Sequence, residues 1–276
     1  MNNDIKVYVL ESLQQGDKLT GTNLYNDLIS YKLPFDSKLY DRIVDKGDWY
    51  KTIEDIRSNV KYGDVVFIHI EIHGNEGGTG VVLKNGETIA FEKICEDFRN
   101  INIKIGCNLY ITLAVCHGLY MIMGLVPLKE MPFCGLIGSQ EEIKESDLEI
   151  RYYEFYNSYL EYNDIESAME QLKKANPDIP NSYRYIRSDE IFINSWKKYI
   201  NDSSNKNWQK ENLNKVSEEN NFNRKQRRKF DRVFKKDKIK CAKSIYKEKT
   251  DLFFMLKDYP DNKNRFCIPK SNEIIR

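Results

Sequence analysis

The feature that most constrains the fold is a nearly continuous apolar run, Val65–Ile72, which ends in His73 and a glycine-rich stretch. Its β-branched and aromatic residues favour a strand, and a strand that is apolar on both faces is typical of the centre of a parallel sheet. Two more apolar runs have the same character, Leu109–Val115, which ends in Cys116, and Phe133–Ile137. We therefore predict that these three runs are central strands.

The segments around these runs predict helices and a hairpin. Asn85-Gly86 lies in the middle of Val81–Ala90, which is a strong signal for a β-hairpin. Ser146 and Glu149 have the spacing of a capping box, which predicts the start of a helix there. Further strands are predicted at Ile5–Leu10 and Ser37–Val44, and further helices at 48–60, 91–98, 152–160 and 165–172. This alternation predicts an α/β fold with a mainly parallel sheet and helices on both faces.

Charge is distributed unevenly along the chain. Over all 276 residues, 43 Lys and Arg nearly balance 42 Asp and Glu. The segment 224–249, however, contains 13 Lys or Arg against three Asp or Glu, so the rest of the chain is acidic. We predict a domain at 1–200, followed at 201–276 by a polar linker (to about 223) and a basic, mobile C-terminal extension.

The basic segment 224–249 has three interpretations. It is a solvated helix face, or it docks on the acidic body or an acidic partner, or it binds nucleic acid. Binding to nucleic acid would use Lys and Arg on phosphates, with help from Phe222, Phe230 and Phe234. The nucleic-acid interpretation is not the favoured one.

The sequence also bears on location and redox state. It contains no apolar run of about 18 residues, so no membrane association is predicted. Its first residues, MNNDIKVYVLESL, lack the basic start and cleavage site of a signal peptide. We therefore expect a cytoplasmic protein. Its six cysteines are expected to be free thiols.

The ends of two predicted strands carry a pair of residues suited to nucleophilic catalysis. Ligands of open α/β sheets bind beyond the carboxyl ends of the strands, so His73 and Cys116 would meet there if their strands are neighbours. A nearby imidazole can stabilise or generate a thiolate. We predict His73 and Cys116 as the catalytic residues. The N–H groups of Gly74 and Cys116 are the predicted oxyanion donors.

The third apolar run leads into a predicted substrate-binding loop at the same sheet edge. This loop comprises Ser139, Gln140, Glu141 and Glu142. The carboxylates of Glu141 and Glu142 favour a basic group in the substrate at this position, and a neutral group is the alternative.

Together these motifs resemble the caspase-like cysteine peptidases, a group that includes metacaspases and bacterial CHAT domains. The residues that carry the resemblance are His73-Gly74, Cys116-His117-Gly118, which is similar to the Cys-His-Ser-Gly of metacaspases, the hairpin Gly80–Phe91, Gly135–Gln140 and the aromatic helix Tyr152–Leu160. His73 and Cys116 are 43 positions apart, near the roughly 50 of caspases. The resemblance covers about Ile5–Lys174.

This resemblance implies a caspase-like fold and a regulated cysteine endopeptidase that cleaves protein substrates through an acyl-thioenzyme. It implies that neither a metal nor an organic cofactor is needed. It also implies an activating ligand or partner protein. Bacterial relatives often serve in immune or cell-death systems, which implies a role in antiviral defence. One departure is Ala114, because caspases have Gln and many metacaspases have Asp two residues before the cysteine. This departure leaves the P1 preference open.

Other interpretations of the same residues exist. The main alternative is a catalytically inactive caspase-fold module that binds nucleic acid or a partner protein through its basic extension. A zinc site formed by His73, Cys116, His117 and Cys134 lacks any CxxC or HExxH spacing. The glycines after His73 are not followed by the GK[ST] of a phosphate-binding loop.

His69 is expected to be a hydrogen-bonded core residue. Glu71 either orients His73 or contacts substrate, or forms a structural ion pair.

Overall fold

A computed structural model describes residues 4–29, 33–34, 36–125, 129–204, 214, 217–218, 221–236 and 238–274. Contacts divide the chain into two compact units. The first unit is Met1–Val126 with Met131–Ser188, and the second is Pro127–Glu130 with Asp189–Arg276.

The first unit is built on a mixed, mainly parallel sheet. Its strands are β1 (Ile5–Ser12), β2 (Lys38–Tyr40), β3 (Val65–Gly74), β4 (Gly80–Val82), β5 (Thr88–Ala90), β6 (Leu109–Ala114), β7 (Gly135–Ser139) and β8 (Tyr183–Arg187). Its helices are α1 (Thr20–Ile29), α2 (Lys46–Asn59), α3 (Phe91–Ile105), a 3-10 helix (Gly118–Gly124), α4 (Glu145–Tyr162) and α5 (Ile165–Lys174). The strand order is β2-β1-β3-β6-β7-β8, in which β8 is antiparallel to β7, and the hairpin β4–β5 branches from β3.

The sheet order places the predicted site residues together. β3 lies between β1 and β6, is parallel to both, and is buried from Val66 to Ile72. Because parallel strands end at the same edge, the loops after β1, β3, β6 and β7 all emerge there. The predicted mainly parallel α/β sheet is confirmed.

Helices cover the sheet as the alternation predicts. α1, α4 and α5 contribute side chains to one core with Phe67 of β3, for example Leu24, Tyr156 and Met169. α2 and α3 pack against each other, and Trp49 of α2 donates a 3.0 Å hydrogen bond to Asp97 of α3. The hairpin predicted at Asn85-Gly86 is present, with Gly86 at a φ of 87°.

Four elements of the first unit differ from the sequence-based expectation. The strand predicted at Ser37–Val44 is paired only at Lys38–Tyr40, where it meets β1 at the edge of the sheet. α1 and the antiparallel β8 were not predicted. The helix expected to start at Ser146 begins at Glu145, after Lys144, and no side chain caps it.

The second unit contains α6 (Ser188–Ser204, of which all but Ser188 belongs here), α7 (Arg224–Lys236), α8 (Lys238–Phe253), α9 (Asn262–Arg265) and α10 (Ser271–Ile274). Its core is aromatic, because Phe192 and Trp196 of α6 pack against Tyr246 and Phe253 of α8. This packing places α6 in the second unit, whereas the sequence predicts a boundary near residue 200. The basic segment lies in α7 and α8. Most of the predicted linker and the side chains of Phe230 and Phe234 lie outside the described residues.

Two features of the chain bear on the sequence-based expectations, namely the helices, as candidates for spanning a membrane, and the cysteines, as candidates for disulfides. No helix in the described ranges has both the length and the apolar composition needed to span a membrane. Among the described cysteines, Cys95, Cys107, Cys116, Cys134 and Cys267 are thiols that form no disulfide, as predicted. The side chain of Cys241 lies outside the described residues.

Candidate active site

His73 and Cys116 lie opposite each other at the ends of two adjacent parallel strands. The last paired residues of β3 and β6 are Glu71 and Ala114, and His73 and Cys116 come two residues later on each chain segment. Gly74 shows how closely the segments approach, because a Cβ built on it would lie 2.4 Å from the carbonyl oxygen of Cys116. The His73 side chain is 48% exposed and Cys116 is half-buried. Both side chains are therefore accessible to a substrate.

Asp17 holds the imidazole of His73. Nε2 of His73 lies 2.7 Å from Oδ2 of Asp17, and the same oxygen accepts the backbone N–H of Gln14 at 2.8 Å. The hydrogen bond from His73 lowers the pKa of the Asp17 carboxyl, outweighing the opposite effect of partial burial. With Nε2 engaged by a carboxylate, Nδ1 is the ring nitrogen left to interact with the thiol of Cys116.

Two buried glutamates fix the helix that follows the Asp17 loop. Glu71 accepts a 2.8 Å hydrogen bond from the hydroxyl of Thr20, and Glu11 accepts the N–H and the hydroxyl of Thr22 at 3.0 and 2.7 Å. Glu11 and Glu71 are paired across β1 and β3. Carboxylates at a helix N-terminus are favourable, because the unpaired N–H groups and the helix dipole are positive there. The loop that carries Asp17 is therefore held at both ends.

His69 lies beneath this site and is completely buried. Its Nδ1 is 2.8 Å from Oγ1 of Thr112, and its Nε2 is 2.9 Å from Oε1 of Glu71. The expectation of a hydrogen-bonded core histidine is confirmed. Glu71 is engaged by His69 and Thr20, whereas His73 is held by Asp17, so Glu71 has the structural role considered for it.

His117 joins the segment after β6 to the loop after β7. Its backbone has a left-handed φ of 57°. Its Nδ1–H donates to the carbonyl of Gln140 at 2.8 Å, and its backbone N–H donates to the carbonyl of Glu141 at 3.2 Å. Because His117 follows Cys116 directly, these bonds fix the backbone of Cys116 relative to the predicted substrate-binding loop.

Tyr120 connects the same region to the glycine-rich loop after β3. Its ring stacks on His117 at a centroid distance of 5.7 Å. It also lies against Gly78, where a Cβ would come within 2.8 Å of the ring and where φ is 60°. The loop itself is closed by Asn75, whose backbone N–H donates to the carbonyl of Gly80 and whose side-chain oxygen accepts the N–H of Thr79.

The four predicted substrate-binding residues occupy different environments. Ser139 is completely buried, and its hydroxyl bonds to Ser182 at 2.7 Å and accepts the N–H of Glu141 at 2.9 Å. In this arrangement Ser139 shapes the loop from inside. Gln140, Glu141 and Glu142 are exposed beside His117. Among the described residues, no group of three or more His, Cys, Asp or Glu side chains is placed to hold a metal ion.

Comparisons with known proteins agree with this geometry at the level of the fold. No protein-family model matches the sequence, and no curated protein matches it. Among solved structures, the chain is similar to the initiator caspase Dronc of Drosophila, with a TM-score of 0.50 at 13% identity over 66% of this chain and 79% of the caspase. It is also similar to a secreted C11 cysteine protease of Bacteroides thetaiotaomicron, with a TM-score of 0.51 at 14% identity over 73% of this chain and 71% of that protease.

The chain has a caspase-like fold. The structural similarity therefore confirms the fold that the sequence resemblance implies. The two structural neighbours are cysteine proteases. At these identities the likeness establishes the architecture alone.

Two residues of this candidate site were missed by sequence reasoning. Asp17 stands in a polar loop 56 positions before His73. The signal that could have found it is topological, because the loop after β1 must emerge beside β3 if the two strands are parallel neighbours. His117 was considered only as part of a motif or as a zinc ligand. Its left-handed backbone has no clear signature in the sequence, since glycine and asparagine are the usual residues in that conformation.

Replacing Asp17 with Asn tests its role beside His73. We expect kcat for peptide cleavage to fall about tenfold, because a neutral amide stabilises an imidazolium less well, although half-exposure of the pair limits the effect. The pKa of the Asp17 carboxyl is lower in the folded protein than the 3.8 of an unperturbed aspartate. The ionised carboxylate therefore stabilises the fold fully above pH 3.8, and this stabilisation is lost as the pH falls through the pKa of the folded protein. Thermal melts of Asp17→Asn should lose this part of the acid dependence. The exposed Asp27, changed to Asn, is the matched control, and equal kcat in both variants would contradict the role of Asp17.

Proposed function

We propose that the caspase-like domain is a cysteine endopeptidase that uses Cys116 and His73. The observation that carries the proposal is the position of His73 and Cys116 just beyond the paired ends of two adjacent parallel strands, with Gly74 against the Cys116 backbone. His73 accepts the thiol proton at Nδ1, and Sγ of Cys116 forms a bond to the carbonyl carbon of the scissile peptide. The amide bond then breaks, the leaving amine takes the proton from His73, and water hydrolyses the acyl-thioenzyme.

The backbone around Gly74 supports its proposed role as an oxyanion donor. Asn75 pairs with Gly80 by a hydrogen bond, and Gly74 pairs with Val81 in the adjacent position. Hydrogen-bonded and non-hydrogen-bonded pairs alternate along an antiparallel ladder, so the N–H of Gly74 is turned away from β4. The hairpin lies toward β1, because the N–H of Lys84 in its turn donates to the hydroxyl of Ser12 at 2.9 Å. This would direct the N–H of Gly74 toward the β6 side, where Cys116 follows. With the N–H of Cys116, it would offer two donors to the developing oxyanion.

We propose that the loop after β7 contacts the substrate and favours a basic P1 residue. Changing both Glu141 and Glu142 to Lys should lower kcat/KM for peptides with Arg at P1 about tenfold, because an attractive charge becomes repulsive at an exposed site. Peptides with a neutral P1 residue should be cleaved as before. Glu145→Lys, on the exposed start of α4, controls for net charge. Unchanged preference in the double variant would exclude this pocket.

Selective alkylation tests whether Cys116 is a reactive thiolate. We expect substoichiometric iodoacetamide to modify Cys116 at least about tenfold faster than Cys267, although Cys267 is the more exposed thiol. Mass spectrometry of the peptides identifies the modified cysteine. His73→Ala should remove the advantage of Cys116 and leave Cys267 unchanged. Slower modification of Cys116 than of Cys267 would favour the alternative of a catalytically inactive binding module.

The wider setting implied by the resemblance is also a proposal. It consists of a cytoplasmic protein that is latent until a ligand or partner activates it and that serves antiviral defence. The glycine-rich loop 75–80 beside the dyad is a suitable element for such control. Full turnover of diverse peptides by the purified protein, with nothing added, would contradict latency.

A further inference from the structure

The second unit contains a depression of 780 Å³ formed by α8, α9 and the segment before α10. Its volume is within the range of pockets that hold small molecules, about 300–1,000 Å³. Four lysines line it, Lys243, Lys247, Lys263 and Lys270. They come from three separate elements, α8, α9 and the residues just before α10.

Charge at this depression is unbalanced. Among the described residues that line it, Asp251 is the one carboxylate against four lysines. Glu273 adds a second carboxylate at its edge, where it accepts the backbone N–H of Lys270 at 3.0 Å. None of the four ammonium groups forms an ion pair or hydrogen bond with another described residue. Lys243 and Lys247 are also one helical turn apart, a spacing at which like charges destabilise a helix. An anion in the depression would relieve this repulsion.

Two hydrogen bonds hold the lysine-bearing segments in place. The hydroxyl of Tyr246 donates to the carbonyl of Pro269 at 2.7 Å, which ties the segment carrying Lys270 to α8. The side-chain amide of Asn262, which is 1% exposed, donates to the carbonyl of Phe254 at 2.9 Å and fixes the start of α9. The lysines therefore converge on a supported framework.

The rest of the lining suits a ligand with both phosphate and an apolar ring. Hydroxyl groups come from Ser244 and Ser271, which can donate to phosphate oxygens alongside the lysines. Apolar surface comes from Leu256, Pro260 and Ile268. A bare polyphosphate would gain nothing from these apolar side chains, whereas a nucleobase would cover them.

We propose that this depression binds a nucleotide, with its phosphates on the lysines and its base against Leu256 and Ile268. The inference concerns binding by the second unit, and it stands or fails independently of peptidase activity at Cys116. An adjoining depression of 470 Å³ shares Lys247 but is rich in carboxylates, including Glu130, Glu248 and Asp258. Its Lys257 supplies a matched control.

Isothermal titration of the full-length protein with ATP and GTP tests the proposal. We expect one of them to bind at one site per chain, and Lys247→Ala with Lys270→Ala to weaken binding at least tenfold. Lys257→Ala should leave the affinity unchanged, and so should Arg227→Ala with Arg228→Ala on the basic helix α7. Circular dichroism confirms that each variant is folded.

Several results would overturn the proposal. These are no binding of either nucleotide, unchanged affinity in the Lys247 and Lys270 variant, or loss of binding in the Arg227 and Arg228 variant. Tripolyphosphate that binds as tightly as the nucleotide would show that the apolar surface takes no part, and would also overturn it.

Discussion

Replacing Cys116 with Ala is expected to abolish peptide hydrolysis and to leave the fold intact. Cys116 is half-buried at a strand end, so the substitution removes the sulfur without opening a cavity in the core. No acyl-thioenzyme can form without the thiol. Kinetics on a peptide library, with thermal melts of the same preparations, measure both expectations. Cleavage by a folded Cys116→Ala protein would refute the proposed function.

His73→Ala should be nearly as damaging, with kcat reduced about 10²–10⁴-fold, the usual contribution of general acid–base catalysis. The double variant should be little worse than Cys116→Ala, because nucleophile and base act as one unit. His69→Ala and Cys134→Ala are the controls. His69 is bonded to Thr112 and Glu71, so its loss should lower stability by about 1–3 kcal/mol for each partner left unsatisfied. Cys134 is buried, and its loss should likewise affect mainly the melting temperature.

The second large effect is expected from Gly74→Ala. The new Cβ would lie 2.4 Å from the carbonyl oxygen of Cys116, and because that atom is backbone, the strand ends must separate. A displacement approaching 1 Å between catalytic groups can cost about 100-fold in rate, and we expect a loss of that size. Overpacking should also lower stability by about 1–3 kcal/mol. The measurements are kcat/KM and the free energy of unfolding.

Gly77→Ala is the matched control for Gly74→Ala. It lies three residues later, in the loop that follows β3, and its new Cβ would meet only atoms of Thr79 at 3.7 and 3.9 Å. Its activity should therefore remain close to that of the unaltered protein. Equal activity of the two alanine variants would mean that the approach of Gly74 to Cys116 has no importance for catalysis.

The sequence predicted the parts of the fold that local patterns encode. The apolar runs that end in His73 and Cys116 are adjacent central strands, and Asn85-Gly86 forms the turn of the hairpin. These signals are strong because a buried parallel strand must be apolar on both faces and because a tight hairpin turn needs residues that accept a positive φ.

The parts that escaped prediction depend on contacts between distant residues. Among the side chains of α1 that the structure describes, the large apolar ones that are buried are Leu24 and Leu28. The start of α1 is fixed by Glu11 and Glu71 on the sheet. The capping box at Ser146 failed for a similar reason. Glu149, which should fold back onto its own helix, instead accepts hydrogen bonds from Asn23 and Lys18. A sequence pattern within one helix cannot show that residues of a distant segment form hydrogen bonds with the Glu149 side chain.

The contacts of His117 and Tyr120 have a consequence for how the site can be regulated. His117 is bonded to the loop after β7, and Tyr120 stacks on His117 and packs against the loop after β3. Three loops from three strands are thereby connected through two side chains. An effector that displaces any one of them would move Cys116, the proposed nucleophile, and the proposed substrate-binding loop in the same event. We therefore expect activation to change kcat and KM together.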